Sequence, residues 1–213
     1  MKSMNNMIHH FRICPISTNK KLENFISSTQ KELENFFHTK IEPVNIFLID
    51  SRKDIDKIWG KKTEKWLTAW TKNNNIFILN LKNYIRESDH KDIKHFWQAL
   101  KHECSHLYFK QLTQANYPKW LNEGLACYLA GQIKKHPVPE EALRVFDYFQ
   151  KTDREIYAIA YFWVKLLIDR FGKGKILELV SRINSQMTEK QFRKNFYRVY
   201  GINYSKKDLE ALL

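Results

Sequence analysis

Strand-forming and helix-forming segments are divided unevenly along this chain, and that division limits its architecture more than any other feature. Residues 44–50, Val-Asn-Ile-Phe-Leu-Ile-Asp, and residues 75–81 are short β-branched and aromatic runs bounded by Pro43 and by the Asn73-Asn74-Asn75 cluster; both predict strands. Residues 8–16 predict a weaker third. Over 18–37, Leu22, Phe25, Ile26, Leu33, Phe36 and Phe37 recur at helical spacing and predict a helix on that sheet. From Asp92 onward no run reads as a strand. Helices are predicted over 92–111, 118–131, 139–149 and 154–171, with two or three more over 173–213, broken near Ser185 and Gly201. Pro118 suits a first helical turn, Gly131 and Gly172 suit C-terminal caps, and Thr152 or Asp153 can cap the helix that follows. The expectation is an α+β fold. A small N-terminal mixed β-sheet with a helix occupies 1–91, an α-helical lobe occupies 92–213, and the two lobes together make one domain.

Composition agrees with a helix-rich chain that builds its own core. Six Gly and five Pro in 213 residues leave little for turn-dense all-β designs, while 14 Phe, 10 Tyr and 6 Trp supply bulk for packing. At 43% hydrophobic and 28% charged, the chain fits neither a disordered class nor a membrane bundle. The N-terminus lacks the apolar run of roughly 7 to 15 residues of a secretory signal. The longest apolar candidate, 156–168, is interrupted by Lys165 and falls short of the ~18 residues of a membrane span. A cytoplasmic location without membrane association is expected. Three cysteines with no CxxC pair predict reduced, mostly buried thiols rather than a disulfide framework.

A formal net charge of +13 invites a nucleic-acid reading. Its densest run lies between Arg182 and Lys207, interleaved with Phe192, Phe196, Tyr197 and Tyr200. Aromatics at that spacing predict an amphipathic helix packed on the core with a solvated basic side, so nucleic acid is the lesser expectation.

The chemistry concentrates in His102-Glu103-Cys104-Ser105-His106, an HExxH pattern inside a predicted helix. At about 100° per residue the two histidines fall roughly 40° apart on one face, a turn from each other, as two ligands of a tetrahedral zinc require. Glu103 projects beside them, where its carboxylate can reach a water without becoming a ligand. Phe96, Trp97, Leu100, Cys104 and Leu107 form the stripe expected to pack on the core. Farther along, Trp120-Leu121-Asn122-Glu123-Gly124-Leu125-Ala126 offers Glu123 as a third ligand on a second helix, leaving a fourth position open, which is the catalytic rather than the structural arrangement of zinc. Gly124 inside a helix costs about 1 kcal/mol and predicts close packing of these two helices. Tyr157 and Tyr161, a turn apart on a later helix, are both candidates to donate a hydrogen bond to a developing oxyanion.

HExxH followed by a glutamate in Trp-Leu-Asn-Glu-Gly-Leu-Ala resembles the gluzincin metallopeptidases, and in particular the compact peptidase MA-like domains, over residues 44–172. The Gly-x-Met-Glu-Asn signature of the aminopeptidase-N-like relatives is missing, so recognition of a substrate N-terminus of that type is not expected. The resemblance implies a zincin-like cleft between the lobes, Zn²⁺ on His102, His106 and Glu123, and hydrolysis of peptide bonds by a zinc-bound water with Glu103 as general base and then acid. It favours Tyr157 over Tyr161 as the oxyanion donor. It also implies that the strand before the HExxH helix, through Ile76, Phe77, Ile78, Leu79 and Asn80, is an edge that pairs with an extended substrate. Two alternatives stay open: an MA-like domain that senses or scaffolds without turnover, and a basic nucleic-acid-binding protein.

Overall fold

The helical half is organised around one long helix that touches both the sheet and three of the other helices. The computed structural model describes residues 20–132 and 134–213; the strand expected over 8–16 lies outside them. In chain order the described elements are α1 (Lys20–Phe37), β1 (Asn45–Ile49), α2 (Arg52–Trp59), β2 (Ala69–Lys72), β3 (Asn75–Leu79), α3 (Leu81–Glu87), α4 (Lys94–Thr113), α5 (Lys119–Leu129), α6 (Pro139–Ala142) running into a 3₁₀ stretch (Leu143–Tyr148), α7 (Ile156–Phe171), α8 (Lys173–Ser181), α9 (Glu189–Tyr200) and α10 (Lys206–Glu210). The fold is α+β with a small mixed sheet, as the sequence predicts.

The sheet has the order β1-β3-β2. β1 runs parallel to β3 in register from Asn45 opposite Asn75 to Ile49 opposite Leu79. β2 is antiparallel to β3, with Ala69 opposite Ile78 and Lys72 opposite Asn75. Asn73 and Asn74 both adopt positive φ, 51° and 60°, the backbone of a tight two-residue hairpin for which asparagine is suited. The asparagine cluster is therefore a hairpin turn, and the strand on its near side, Ala-Trp-Thr-Lys, is four residues long and too short to read from periodicity. Asn80 ends β3: its side-chain oxygen accepts from the Lys82 backbone N–H and starts α3 where the sequence predicts continued strand. α2 begins on a Ser51 cap and stops on Gly60 at φ 66°, and it buries only Ile55, which left little pattern to predict it from.

α1 does not lie on the sheet. It packs on α4, with Phe37 stacked 5.8 Å from Tyr108, Phe25 4.8 Å from Trp97, and the Tyr108 hydroxyl donating to the Gln30 carbonyl at 3.3 Å. Its apolar stripe of Leu22, Leu33, Phe36 and Phe37 is buried there. α4 thus meets α1, β2, β3, α5 and α8. That position explains why it buries not only Phe96, Leu100, Cys104 and Leu107 but also His102, Glu103 and Ser105. Buried residues from both lobes, among them Ile76, Ile78, Leu100, Leu121 and Trp163, belong to one continuous core. α9 is amphipathic as predicted: Phe192, Phe196, Val199 and Tyr200 are buried, while Arg193 pairs with Glu189 and donates to the Tyr204 carbonyl. Among the described residues no helix is long and apolar enough to cross a membrane.

Candidate metal centre

α4 carries His102 and His106 one turn apart, their rings nearly perpendicular with centroids separated by 4.7 Å. The chain reverses after α4 through Gln114, in the left-handed region at φ 52°, and α5 returns antiparallel enough to set Glu123 against both rings. Glu123 Oε2 lies 3.2 Å from His102 Nε2 and 3.6 Å from His106 Nε2. One donor atom from each of the three residues falls within 4.8 Å of the others, so this group could hold a metal ion, and it is the only such group among the described residues.

The chemistry of the donor set fits a metal. Two imidazole nitrogens and one carboxylate oxygen converge, and the group behind the His106 ring settles which nitrogen that histidine presents. Asn122 Oδ1 lies 2.8 Å from His106 Nδ1; an amide oxygen only accepts, so Nδ1 carries the proton and Nε2 keeps its lone pair for the centre. Cys127 Sγ sits 3.8 Å from His102 Nδ1, behind the ring and away from Glu123, so this thiol backs a ligand instead of serving as one. Burial opposes ionisation of Glu123, yet His106 and His102 facing it outweigh that and bring its pKa down to about 2. For His102 burial works against protonation, but Cys127 and Glu123 beside it prevail and hold its pKa well above the ordinary value. A proton and a metal cation compete for the same nitrogen lone pair in such a site.

Glu103 is buried next to the ligands, and its Oε2 accepts a 2.7 Å hydrogen bond from the Thr71 hydroxyl on β2. That bond fixes the carboxylate without neutralising it. Sequence reasoning missed Thr71 because it missed β2. The first turn of α7 brings Tyr157 to the site, its ring 6.1 Å from the His102 ring and edge-on to Trp66 at 6.4 Å. Burial first, then the charges of Glu123 and Glu103, push the Tyr157 pKa far up, so its hydroxyl stays a donor. Tyr161 is not brought to the site: it faces a separate depression with His136, Phe162 and Lys165. One turn of helix carries it about 6 Å along the axis, past the end of the cleft.

Gly124 explains how close α7 comes. A Cβ there would stand 2.4 Å from the Ala160 carbonyl oxygen and 2.6 Å from a Val164 methyl. The close partner of α5 is therefore α7, not α4 as the sequence suggests, and the glycine beside the ligand Glu123 lets the tyrosine helix settle over the centre. The resulting cleft, about 300 Å³, opens between 66–69 on the sheet side and α7 on the other.

The substrate strand expected over 76–80 is corrected by the sheet order. β3 is the central strand, paired on both sides, so its backbone has no free edge for a peptide. Ile76, Ile78 and Leu79 are buried, Phe77 is stacked between Phe47 and Trp70, and Asn80 caps α3. The strand bordering the cleft is β2, whose Ala69 lines it. His90 is half-buried between Tyr84 and His95 and lines the same cleft. No protein-family model matches this chain, and neither does any curated protein or solved structure.

Proposed function

We propose that this chain is a zinc-dependent metallopeptidase of the gluzincin, peptidase MA-like type. The observation that carries the reading is the convergence of His102, His106 and Glu123 with the carboxylate of Glu103 held beside them by Thr71. His102, His106 and Glu123 would hold the ion. Zinc so bound supplies a Lewis acid and lowers the pKa of a water to about 7. Glu103, anchored at one oxygen, has the other free to take the proton of an attacking water and pass it to the departing amine. Tyr157 keeps its phenolic proton and can donate to the substrate carbonyl oxygen as negative charge grows there, a contribution of about 10²–10³ in rate for a well-placed donor. Among the described residues β2 is an edge strand, along which an extended peptide can add by backbone hydrogen bonds. An intact general base beside the ligand set favours turnover over a sensing role.

The test is zinc content and peptide hydrolysis of the wild-type chain and of Glu103→Gln. We expect a single zinc per chain in both proteins and a loss of about 10²–10⁴ in turnover in the variant, the usual range for removing a general base. Wild-type protein that fails to take up zinc, or a variant that hydrolyses peptides at the wild-type rate, overturns the proposal.

A further inference from the structure

The cleft is lined by cationic side chains that form no ion pair among the described residues. Lys134, Lys135 and Arg154 line it, and Glu103 is the only acid among the lining residues. The acids nearest Arg154 in sequence are engaged elsewhere: Asp153 accepts from the Tyr148 hydroxyl at 3.0 Å, and Glu155 pairs with Arg144. Lys165 is satisfied by Asp169. Among the described residues no carboxylate lies within ion-pairing distance of Lys134, Lys135 or Arg154. Three cations without a carboxylate partner lining one concave surface focus a positive potential into it.

Lys134 fixes the position of this charge relative to the metal centre. The Lys134 ammonium stands 5.6 Å from the Tyr157 ring centroid, and that ring stands 6.1 Å from the His102 ring. Those two steps laid end to end correspond to about four residues of extended chain at most. We infer that the cleft selects peptides bearing a carboxylate within about four residues of the bond presented to the centre, held by Lys134, Lys135 and Arg154. The inference rests on the peptidase reading for its substrate, and it adds the class of peptide. The carboxylate is either an Asp or Glu side chain or the terminal carboxylate of the peptide; the same three cations serve both. Basic charge on α9 differs in place. Arg193 is paired with Glu189, and Lys190, Lys194 and Arg198 line a depression that shares no residue with this cleft.

The experiment measures binding without turnover. Rhodamine-labelled heptapeptides carrying Glu at one position, or Gln in its place, each made as C-terminal acid and as C-terminal amide, are titrated by fluorescence anisotropy against the full chain bearing Glu103→Gln. We expect the carboxylate-bearing peptide to bind about tenfold more tightly at low ionic strength, since each exposed pair contributes a few-fold, and the preference to shrink as salt is added. A preference that follows the Glu/Gln pair assigns the site to a side chain; one that follows the acid/amide pair assigns it to a chain terminus. Adding Lys134→Gln, Lys135→Gln and Arg154→Gln together should abolish the preference, while Lys190→Gln, Lys194→Gln and Arg198→Gln on α9 should leave it intact. Equal binding in both pairs, a preference that survives the cleft substitutions, or tighter binding of a single-stranded oligonucleotide through the same three cations overturns the inference. The peptidase reading fails separately: zinc-loaded wild-type chain that binds the acidic peptide selectively but cleaves none of the set removes the activity and leaves the carboxylate site standing. Cleavage of all four peptides alike, with equal binding, does the reverse.

Discussion

A histidine ligates well only when its second nitrogen is tied down, and here Asn122 does this for His106. Asn122 is itself buried at 6% exposure, with its amide nitrogen 3.5 Å from the Asn116 carbonyl, so it cannot rotate away at little cost. Asn122→Ala should weaken zinc binding by about 10–100-fold, the usual cost of losing such a partner. Asn122→Asp, which keeps the acceptor, should restore most of that loss. Competition for zinc against a chromophoric chelator reads both, and an alanine variant with wild-type affinity would show that the Asn122 contact is incidental. At this scale the ligands were legible in the sequence because their relation is local: His102, Glu103 and His106 are placed by the helical period alone, and Glu123 needs only one reversal of the chain. Asn122 adjoins Glu123 in sequence, but no spacing rule says which ring nitrogen it will meet. Thr71 and Lys134 were illegible for another reason, since each reaches the cleft through an element whose position depends on contacts far along the chain.

Between elements, the decisive contact is that of α5 with α7. Two effects compete at Gly124. Alanine in a helix interior is favoured over glycine by about 1 kcal/mol, which predicts a more stable variant if the site were open. The site is closed by backbone, the Ala160 carbonyl at 2.4 Å, and backbone cannot swing aside as a flexible side chain can. Overpacking of this kind costs about 1–3 kcal/mol, so Gly124→Ala should lower the urea midpoint despite its better propensity. It should also reduce peptide hydrolysis at temperatures where the variant remains folded, because pushing α7 outward carries Tyr157 with it. A raised midpoint would mean that α5 and α7 have slack between them. The same scale shows why the short elements escaped prediction. β2 has four residues and α2 one buried residue, so neither repeats its period often enough to stand out, whereas α4 and α7, at 20 and 16 residues, do. The sheet order is a property of pairing between strands. Knowing that residues 75–79 form a strand did not reveal that β2 would flank it and take over the edge.

For the molecule as a whole, the arrangement of charge and core would make a metal held by His102, His106 and Glu123 a fastening point. The net charge of +13 is spread over the surface, and most of the ion pairs formed are exposed or half-exposed, so they contribute little to stability. The continuous core supplies the bulk of it. Into that core α4 and α5 bring two imidazoles and a carboxylate, and the 3.2 Å contact of Glu123 with His102 only partly offsets the cost of removing the three from water. A ligand that binds only the folded arrangement adds to folding free energy by mass action, about 2.7 kcal/mol at a concentration 100 times its Kd. For a domain of this size each kcal/mol corresponds to about 2–4 °C in Tm, so zinc should raise the Tm of the chelator-treated chain by about 5–10 °C. Because α4 also packs on α1 and against β2 and β3, the rise should appear in a single transition shared by both lobes. Glu123→Gln removes the anionic ligand and should abolish most of the zinc-dependent rise, whatever it does to the Tm of the zinc-free protein. Differential scanning calorimetry with and without zinc decides it. A wild-type Tm indifferent to zinc would mean that the three donors serve only one another, and two resolved transitions, of which zinc moves one, would mean that the sheet and the helices do not share the core that joins them.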